Sequence, residues 1–212
     1  MSGYISEAVV RRLPLYYRHL RELEEAGVEQ ISSQELGERM QLTPSQIRQD
    51  INSFGGFGRQ GYGYPVRGLK EHIRLVMGLD REHRMVIIGA GRIGSALAHY
   101  DGFGQDGFRA VAMFDVDPEK FGTDGVLPVY SAEELETRIP ELKPEIAVLS
   151  LPAESAQVML DRLYGLGIRA VWNFAPVDLH YPRDVSVVNV HLSDQLQILS
   201  YHIHQMEAEK NG

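Results

Sequence analysis

The feature that most constrains the fold is a glycine-rich turn between an apolar segment and a helix-forming one. Residues 85–100 read MVIIGAGRIGSALAHY, in which four apolar residues lead into a Gly-x-Gly-x-x-Gly pattern. A second apolar segment, FRAVAMFDVD, reaches Asp115, which lies 21 residues after Gly94. A strand, this turn, a helix and a carboxylate at the end of the next strand are together typical of a dinucleotide-binding parallel sheet.

The glycines of this turn have separate predicted roles, and together they indicate the ligand. Gly89 permits the turn, Gly91 lets the backbone approach a pyrophosphate, and Gly94 allows close helix–strand packing. The start of the helix favours the negative pyrophosphate. Asp115 would accept hydrogen bonds from the adenosine ribose and repel a 2′-phosphate, so we predict NAD(H) rather than NADP(H). The alternative for Asp115 is an ordinary turn residue at a strand end.

Further strand and helix patterns extend this domain. The segments EIAVLSLPA and IRAVWNFAP read as buried strands, with a helix over about 154–165 between them. Ligands of such sheets bind beyond the carboxyl ends of the strands. We therefore expect Pro152, Asn173 and Phe174 to line a nicotinamide pocket, with a place in the ordinary core as the alternative for Phe174.

A last amphipathic helix is predicted from Ser193 to about Glu209, after the sheet is complete. Its apolar stripe consists of Leu196, Leu199, Ile203 and Met206. An apolar stripe needs an apolar partner. Either a partner subunit or the helix's own domain would satisfy this need.

The N-terminal part shows a different pattern, of helices joined by short turns. A first helix is predicted over residues 9–23, with apolar positions at helical spacing, Val9, Leu13, Tyr16, Leu20 and Leu23. Ser32 and Glu35 then form a capping-box pattern, which starts a second helix. Thr43, followed by Pro44, starts a third two or three residues after the second ends. The spacing predicts a helix–turn–helix.

The second helix of this pair carries a polar outer face. Ile47, Ile51 and Phe54 fall on one side and should face the core. The outward positions are Ser45, Gln46, Arg48, Gln49 and Asn52. Arginine reads guanine, and glutamine or asparagine reads adenine. The pattern predicts a recognition helix for the major groove of DNA.

A glycine- and aromatic-rich segment, SFGGFGRQGYGYPV, follows directly over residues 53–66. Gly61 and Gly63 can supply the positive φ angles of a hairpin turn, which predicts a wing beside the recognition helix. Arg59 would then reach a phosphate or the minor groove. The alternative is that the aromatic residues form the hairpin core and Arg59 is solvated. We expect the aromatics to pack, because duplex DNA exposes no base faces.

The charge is divided unevenly between the two parts. The net charge of −8 argues against a nucleic-acid partner for the chain as a whole. Residues 1–80 are nevertheless neutral, and residues 81–212 carry all of the negative charge. Within residues 43–74 the balance is +3. A polyanion would therefore meet the N-terminal part.

The composition bounds the remaining possibilities. The length of 212 residues suits two modest domains, with a boundary near residues 79–84. The absence of cysteine excludes disulfides, thiolate metal sites and thiol redox sensing. It also suits a reducing cytoplasm, where we place the protein. We expect no signal peptide, and no apolar run approaches the roughly 20 residues of a membrane helix.

No catalytic pattern stands out in the sequence. It contains no H-E-x-x-H, no G-x-S-x-G and no cluster with metal-ligand spacing. His180, His191, His202 and His204 are each more simply explained as surface or core residues. We therefore expect no metal, no catalytic residues and no enzyme activity.

These pieces, in this order, resemble the Rex family of bacterial redox-sensing transcriptional repressors. The matching segments run over nearly the whole chain: RLPLYYRHL (12–20), IRQDINSFGGFGRQGYGYPV (47–66), GAGRIGSALAHYDGFG (89–104), FDVDPEKFG (114–122) and NFAP (173–176). The resemblance implies a winged helix-turn-helix over 1–80, a Rossmann-like doubly wound parallel sheet over 81–192 and an exchanged dimerisation helix over 193–212. It also implies a homodimer on palindromic operator DNA, with NADH lowering DNA affinity and NAD+ permitting it.

The resemblance assigns roles by position. The implied DNA contacts are Thr43, Ser45, Gln46, Arg48, Gln49, Arg59 and Gly61. The implied dinucleotide contacts are Gly89, Ala90, Gly91, Arg92, Ile93, Gly94 and Asp115, with Tyr100 near the nicotinamide. Arg18 would join Tyr100 and an early C-terminal aspartate in a switch network.

Two positions depart from the family pattern. The family usually has lysine where this chain has Gln49, so one phosphate contact would be lost. The usual switch aspartate falls at His191. Either Asp194 substitutes from one turn later, or His191 makes the coupling pH-dependent.

Two other functions are compatible with the sequence. One is an NAD-dependent oxidoreductase with an accessory N-terminal domain, against which the missing acid–base constellation argues. The other is a sensor of a different nucleotide, such as a CoA-type ligand, on the same kind of sheet.

Overall fold

The apolar residues of the chain are buried in two separate units. The computed structural model describes residues 5–55, 63–123 and 125–211. The chain divides into Met1–Arg81 and Glu82–Gly212. Each unit has its own buried apolar clusters.

The first unit consists of helices and one small antiparallel sheet. In chain order its elements are α1 (Glu7–Val10), α2 (Leu13–Glu25), β1 (Gln30–Ile31), α3 (Ser33–Met40), α4 (Pro44–Phe54), β2 (Tyr64–Pro65) and α5 (Val66–Val76). Strands β1 and β2 pair antiparallel. The predicted first helix is interrupted at Arg11 and Arg12. A new helix begins there because Pro14 lacks the N–H that a continuous helix would need.

Local signals start both helices of the helix–turn–helix as predicted. The Ser32 side chain accepts from the Glu35 N–H, and the Glu35 carboxylate accepts from the Ser32 N–H. Thr43 accepts from the Gln46 N–H at 3.2 Å. A Cβ atom on Gly37 would lie 2.6 Å from the Leu42 carbonyl oxygen. The close turn between α3 and α4 therefore requires glycine at position 37.

The second unit is a seven-stranded sheet. Its strands are β3 (His83–Ile88), β4 (Phe108–Asp115), β5 (Gly122–Thr123), β6 (Pro128–Ser131), β7 (Ile146–Leu149), β8 (Ala170–Asn173) and β9 (Ser186–Asn189). Their order is β5-β6-β4-β3-β7-β8-β9. All neighbours are parallel except β5, which pairs antiparallel with β6. This is the doubly wound order that was predicted, with one added edge strand.

Helices α6 (Arg92–Ala98), α7 (Gly102–Gln105), α8 (Leu135–Leu142) and α9 (Ala153–Gly165) lie between these strands in the chain. A last helix, α10 (Leu192–Asn211), follows β9. The central strands β3 and β7 are almost fully buried, as expected for a sheet covered on both faces. Within the described ranges, none of the helices combines the length and apolar character that crossing a bilayer requires.

The last helix, α10, is exposed along its length. Leu196 is 67 % exposed, and Leu199, Ile203 and Met206 are each about half exposed. The helix's own domain therefore does not cover the apolar stripe, which was one of the two alternatives left open by the sequence. An apolar helix face left open in this way is the usual mark of a protein–protein interface.

Candidate dinucleotide crevice and recognition helix

The glycine-rich turn lies where the strand order of the sheet reverses. Strand β3 has β4 on one side and β7 on the other. Gly89 leaves β3 with φ of +103°, and its N–H donates to the Phe114 carbonyl oxygen at 2.7 Å. A Cβ atom on Gly89 would lie 2.4 Å from the Ser150 carbonyl oxygen. Such reversal points form the ligand crevice in doubly wound sheets.

Gly94 and Gly91 are required for different reasons. A Cβ atom on Gly94 would lie 1.9 Å from the Gly89 carbonyl oxygen, so the packing of α6 on the turn demands glycine there. Gly91 has φ of −81°, which any residue adopts, and a Cβ atom there would meet no described atom within 4 Å. The described protein therefore does not itself need a glycine at position 91. The open space at this helix start has the form that a bound phosphate group uses.

Asp115 closes the turn from the end of β4. Its Oδ2 accepts from the Ala90 N–H at 2.7 Å, and its Oδ1 accepts from the Asp117 N–H at 2.9 Å. Lys120 donates to Oδ2 at 3.0 Å. Burial alone would raise the pKa of Asp115, but these hydrogen bonds outweigh it and the pKa is lowered. The carboxylate is therefore charged at neutral pH, as ribose recognition and rejection of a 2′-phosphate require.

Ser150 is a crevice residue that the sequence analysis missed. It follows β7, and its hydroxyl lies 2.8 Å from the Gly89 carbonyl oxygen and 3.1 Å from that of Ile88. The hydroxyl thereby ties the turn after β3 to the end of β7. The segment VLSLP gave no signal beyond a polar residue at a strand end.

An aromatic row runs along one side of the sheet in this unit. Tyr100 packs edge-on against Phe103 with ring centres 4.7 Å apart, and Phe103 packs against Trp172 at 5.7 Å. Trp172 in turn packs against Phe174 at 4.6 Å. Tyr100 is 60 % exposed at one end of the row. The row joins two residues that were predicted near the nicotinamide, Tyr100 and Phe174.

Asn173 and Pro152 lie at and just beyond the carboxyl ends of the neighbouring strands β8 and β7. Asn173 is fully buried at the end of β8, and its amide donates to the Val177 carbonyl oxygen at 2.9 Å and accepts from the Ala175 N–H at 3.0 Å. The side chain thus fixes the shape of the loop that follows the strand. Pro152 is exposed and precedes the first turn of α9.

The recognition helix α4 has the two faces that were predicted. Ile47, Ile51 and Phe54 are buried. Ser45, Arg48, Gln49 and Asn52 are exposed, and Gln46 is half-buried. Arg48 donates to the Ser33 hydroxyl at 3.0 Å, which holds its guanidinium beside the start of α3.

Asp50, on the same helix, is buried although it is charged. The Arg12 guanidinium donates to both of its oxygens, and the Tyr16 hydroxyl donates to Oδ2 at 3.0 Å. Burial and the neighbouring Asp50 carboxylate raise the pKa of Tyr16, so its hydroxyl stays a donor. This network, which the sequence analysis also missed, attaches α4 to the start of α2.

Several predicted residues fall elsewhere. Arg59 and Gly61, and with them most of the predicted wing, lie outside the described residues. Arg18 is exposed on α2 in the first unit. His191 lies in the second unit, where its Nε2 is 3.3 Å from Asp178 Oδ1. The Asp194 N–H donates to the His191 carbonyl oxygen at 3.2 Å. Among the residues that the structure describes, no group of three or more potential ligands could hold a metal ion.

The fold and these sites define a class of protein. A helix–turn–helix with a polar recognition helix, in one chain with a nucleotide-type sheet, is the arrangement of a ligand-responsive transcription factor. Residues 4–52 match the family model described as "Putative DNA-binding protein N-terminus". Residues 80–177 match the model described as "CoA binding domain".

Relatives of known function match over nearly the full length. The redox-sensing transcriptional repressor Rex of Thermoanaerobacter sp. (strain X514) is 46 % identical over 207 residues, which cover 97 % of this chain and 92 % of the relative. The repressor of the same name from Clostridium botulinum (strain Eklund 17B / Type B) is 46 % identical over 202 residues, which cover 95 % and 96 % of the two chains.

Solved structures agree with this result. The crystal structure of RSP, a Rex-family repressor, matches with a TM-score of 0.92 and 44 % identity over 99 % of this chain and 98 % of that one. RSP in complex with beta-NAD+ and operator DNA matches with a TM-score of 0.91 and 46 % identity over 99 % and 97 %. RSP in complex with beta-NADH matches with a TM-score of 0.90 and 43 % identity over 99 % of both. This chain belongs to the Rex family of redox-sensing transcriptional repressors, which confirms the resemblance and the fold class.

Proposed function

We propose that this protein represses transcription by binding operator DNA and leaves the operator when NADH binds to its second unit. The observation that carries the proposal is the turn at Gly91, whose open helix start suits a pyrophosphate beside the charged Asp115. That turn occurs in one chain with an exposed recognition helix. The structures of RSP with NADH, and with NAD+ and operator DNA, support both halves of the proposal.

In the first unit, α4 would enter the major groove. Thr43, Ser45 and Gln46, at its N-terminal end, would contact the backbone and base edges. Arg48 and Gln49 would read bases, and Arg59 and Gly61 of the predicted wing would contact a phosphate or the minor groove. With glutamine at position 49, we expect one fewer phosphate contact than in relatives with lysine there.

In the second unit, the turn from Gly89 to Gly94 would hold the pyrophosphate at the start of α6. Ala90, Arg92 and Ile93 would line that contact. Asp115 would accept from a ribose hydroxyl through Oδ1, which has a second lone pair beyond the one that accepts from the Asp117 N–H. Tyr100, Pro152, Asn173 and Phe174 would surround the nicotinamide.

The response requires a ligand that prefers one state of the protein over another. NADH and NAD+ differ at the nicotinamide ring, which is neutral in one and cationic in the other. We propose that the neutral ring is buried between subunits beside Tyr100, while the cationic ring resists desolvation. To reverse the populations of the two states almost completely, a ligand must bind one state about 10⁴-fold more tightly than the other. Ring burial would move the two recognition helices of a dimer away from the spacing of about 34 Å between successive major grooves.

The proposal includes a homodimer held by the C-terminal helix. The apolar stripe of α10 is exposed in the single chain, and exchange of this helix between subunits would cover it. We therefore assign residues 1–80 to DNA binding, 81–192 to NAD(H) binding and 193–212 to dimerisation. The dimer would act in the cytoplasm on palindromic operators.

We further propose that the protein is a sensor rather than an enzyme. In the described crevice, the side chains of Ser150 and Asn173 both donate hydrogen bonds to backbone carbonyl oxygens of nearby turns. Asp115 is charged and bound to the glycine-rich turn. None of these groups is arranged as an acid–base pair toward a second substrate.

A competing ligand is a CoA-type nucleotide, which the description of the second family model suggests. Coenzyme A carries a phosphate on its adenosine ribose. Asp115, with its lowered pKa, would repel that phosphate. NAD(H) is therefore the better match to the described crevice.

Titration of DNA binding with each nucleotide tests the proposal. A palindromic operator would be selected from random-sequence duplex DNA by the purified protein, labelled with a fluorophore and followed by anisotropy at fixed salt. We expect NADH to release the operator at concentrations at which NAD+ and coenzyme A do not. Equal effects of NADH and NAD+ would refute the proposal, and release by coenzyme A alone would reassign the ligand.

A further inference from the structure

A lysine lies beside the carboxylate that would recognise the adenosine ribose. Lys120 donates from Nζ to Asp115 Oδ2 at 3.0 Å, and the same Nζ lies 3.9 Å from Asp117 Oδ2. Asp115 Oδ2 also accepts from the Ala90 N–H at 2.7 Å. The ammonium group is therefore next to the glycine-rich turn as well as to the carboxylate.

The chain after β4 places this lysine through local contacts. The Asp117 N–H donates to Asp115 Oδ1 at 2.9 Å. The Asp117 side chain then accepts from the Glu119 N–H at 3.1 Å, which begins a 3₁₀ turn over Pro118–Lys120. These short contacts return the chain toward the end of β4, so the position of the lysine does not depend on the packing of a distant segment.

The two charged groups differ in their access to solvent. The Asp115 side chain is 8 % exposed, whereas that of Lys120 is 37 % exposed. An ammonium group carries three N–H donors on a flexible aliphatic stem. Lys120 can therefore keep its bond to Asp115 and turn another donor toward a bound anion.

We propose that Lys120 is a specificity-determining residue, which provides a cation for a ribose 2′-phosphate that Asp115 alone keeps out of the crevice. The inference rests on the proposed function, because it concerns the ribose of the same dinucleotide. Rejection of NADP(H) was predicted from the Asp115 carboxylate by itself. With Lys120 beside that carboxylate, the preference for NADH over NADPH is a balance between two opposite charges.

This balance follows from charge and distance. A ribose hydroxyl can donate a hydrogen bond to Asp115, whereas a 2′-phosphate carries a charge of about −1.5 to −2 at pH 7. The phosphate is repelled by Asp115 and attracted by Lys120. Because these two groups are in contact, an anion that approaches one also approaches the other. Removal of either charge should therefore shift the nucleotide preference, and the two removals should shift it in opposite directions.

Calorimetric titration of the full chain with NADH, alone and in competition with NADPH, measures both dissociation constants. Lys120→Met keeps an aliphatic stem but removes the cation. We expect the ratio of the NADPH to the NADH dissociation constant to rise by about three- to tenfold. Lys143→Met is the matched control. It removes the same charge just before β7, at the opposite edge of the parallel sheet, and should leave the ratio unchanged.

Asp115→Asn tests the cation from the other side. The amide keeps the size of the side chain and one acceptor oxygen but removes the negative charge. We expect this variant to bind NADPH at least about tenfold more tightly than the unaltered protein does. NADPH should then also release the fluorescent operator. In the double variant Asp115→Asn/Lys120→Met, the gain in NADPH affinity should be lost.

The outcomes separate this inference from the proposed function. If the unaltered protein does not bind NADH, the proposed function fails and takes the inference with it. If it binds NADH but Lys120→Met leaves the ratio unchanged, only the inference fails, whether or not the Asp115 variants fold. The inference also fails if the double variant keeps the gain, since another cation, such as the exposed Arg92 at the start of α6, would then bind the phosphate.

Discussion

The Arg12 guanidinium holds the Asp50 carboxylate through two hydrogen bonds of 2.7 Å, from Nε to Oδ2 and from Nη2 to Oδ1. Asp50 lies on the inner side of the recognition helix, and Arg12 immediately precedes α2. The Tyr16 hydroxyl adds a third hydrogen bond. The angle of the recognition helix is therefore fixed by a buried ionic contact as well as by apolar packing.

Removal of Arg12 should destabilise the first unit. The Asp50 side chain is only 3 % exposed, so Arg12→Ala leaves a buried carboxylate without its partner. We expect the free energy of unfolding to fall by about 3 kcal/mol, measured by urea denaturation. Arg11→Ala is the control, because Arg11 and Glu7 form a mostly exposed pair whose loss should change little. Equal losses in the two variants would contradict the role assigned to Arg12.

Two glycine substitutions should separate packing from ligand binding. Gly94→Ala places a Cβ atom 1.9 Å from a backbone oxygen, and we expect it to lower the free energy of unfolding by at least about 2 kcal/mol. Gly91→Ala places its Cβ in open space at an ordinary φ, so stability should stay within about 0.5 kcal/mol.

The Gly91→Ala protein should nevertheless bind NADH at least about tenfold more weakly, because the methyl group occupies the approach of the pyrophosphate. Isothermal titration calorimetry measures this affinity. If the Gly91→Ala protein binds NADH as tightly as the unaltered protein, Gly91 is not part of the NADH site.

The lowered pKa of Asp115 predicts how the second unit responds to acid. A carboxyl group whose pKa is lower in the folded state stabilises the fold above its unfolded pKa, near 4, and loses that contribution as the pH falls further. We expect Asp115→Asn to lose less stability between pH 5 and pH 3 than the unaltered protein, as followed by thermal unfolding. Asp117→Asn is the control with a more exposed carboxyl group. Parallel losses in all three proteins would contradict the prediction.

His72 should affect DNA binding from the far end of the recognition helix. Its Nε2 lies 2.6 Å from the Phe54 carbonyl oxygen, and its ring stacks on Phe54 at 6.3 Å. Such contacts satisfy the last carbonyl groups of a helix. His72→Ala should weaken operator binding by about two- to fivefold, measured by anisotropy without NADH. His72→Gln, which restores a donor, should recover part of the loss; if it recovers none, the hydrogen bond to Phe54 is not the cause.

The parts of the fold that are governed by neighbouring residues could be predicted from the sequence. The capping box of Ser32 and Glu35 starts α3 because both partners lie within one turn of each other. The turn from Gly89 to Gly94 forms where expected, because glycine alone tolerates the close backbone contacts at positions 89 and 94. The interruption before α2 was missed, because the apolar spacing continues across Arg11 and Arg12 although the helical backbone conformation is broken there.

The site was predicted less completely than the fold. Position and residue type identified the polar face of α4 and the carboxylate of Asp115. They did not identify Ser150 or Asp50, which have no motif of their own and gain a role only through the distant segments that they touch. A serine after a strand and an aspartate within a helix are too common for spacing alone to single them out.

By itself, the sequence determined the two kinds of unit in this protein and the order of their elements, since caps, turn glycines and apolar periodicity act over a few residues. Only the tertiary structure decided which distant polar groups meet. Arg12 and Asp50 are 38 residues apart, and Ser150 and Gly89 are 61 apart. Such pairs form because the packing of whole helices and strands brings them together, and a buried polar group must then find its partner among the residues that this packing supplies.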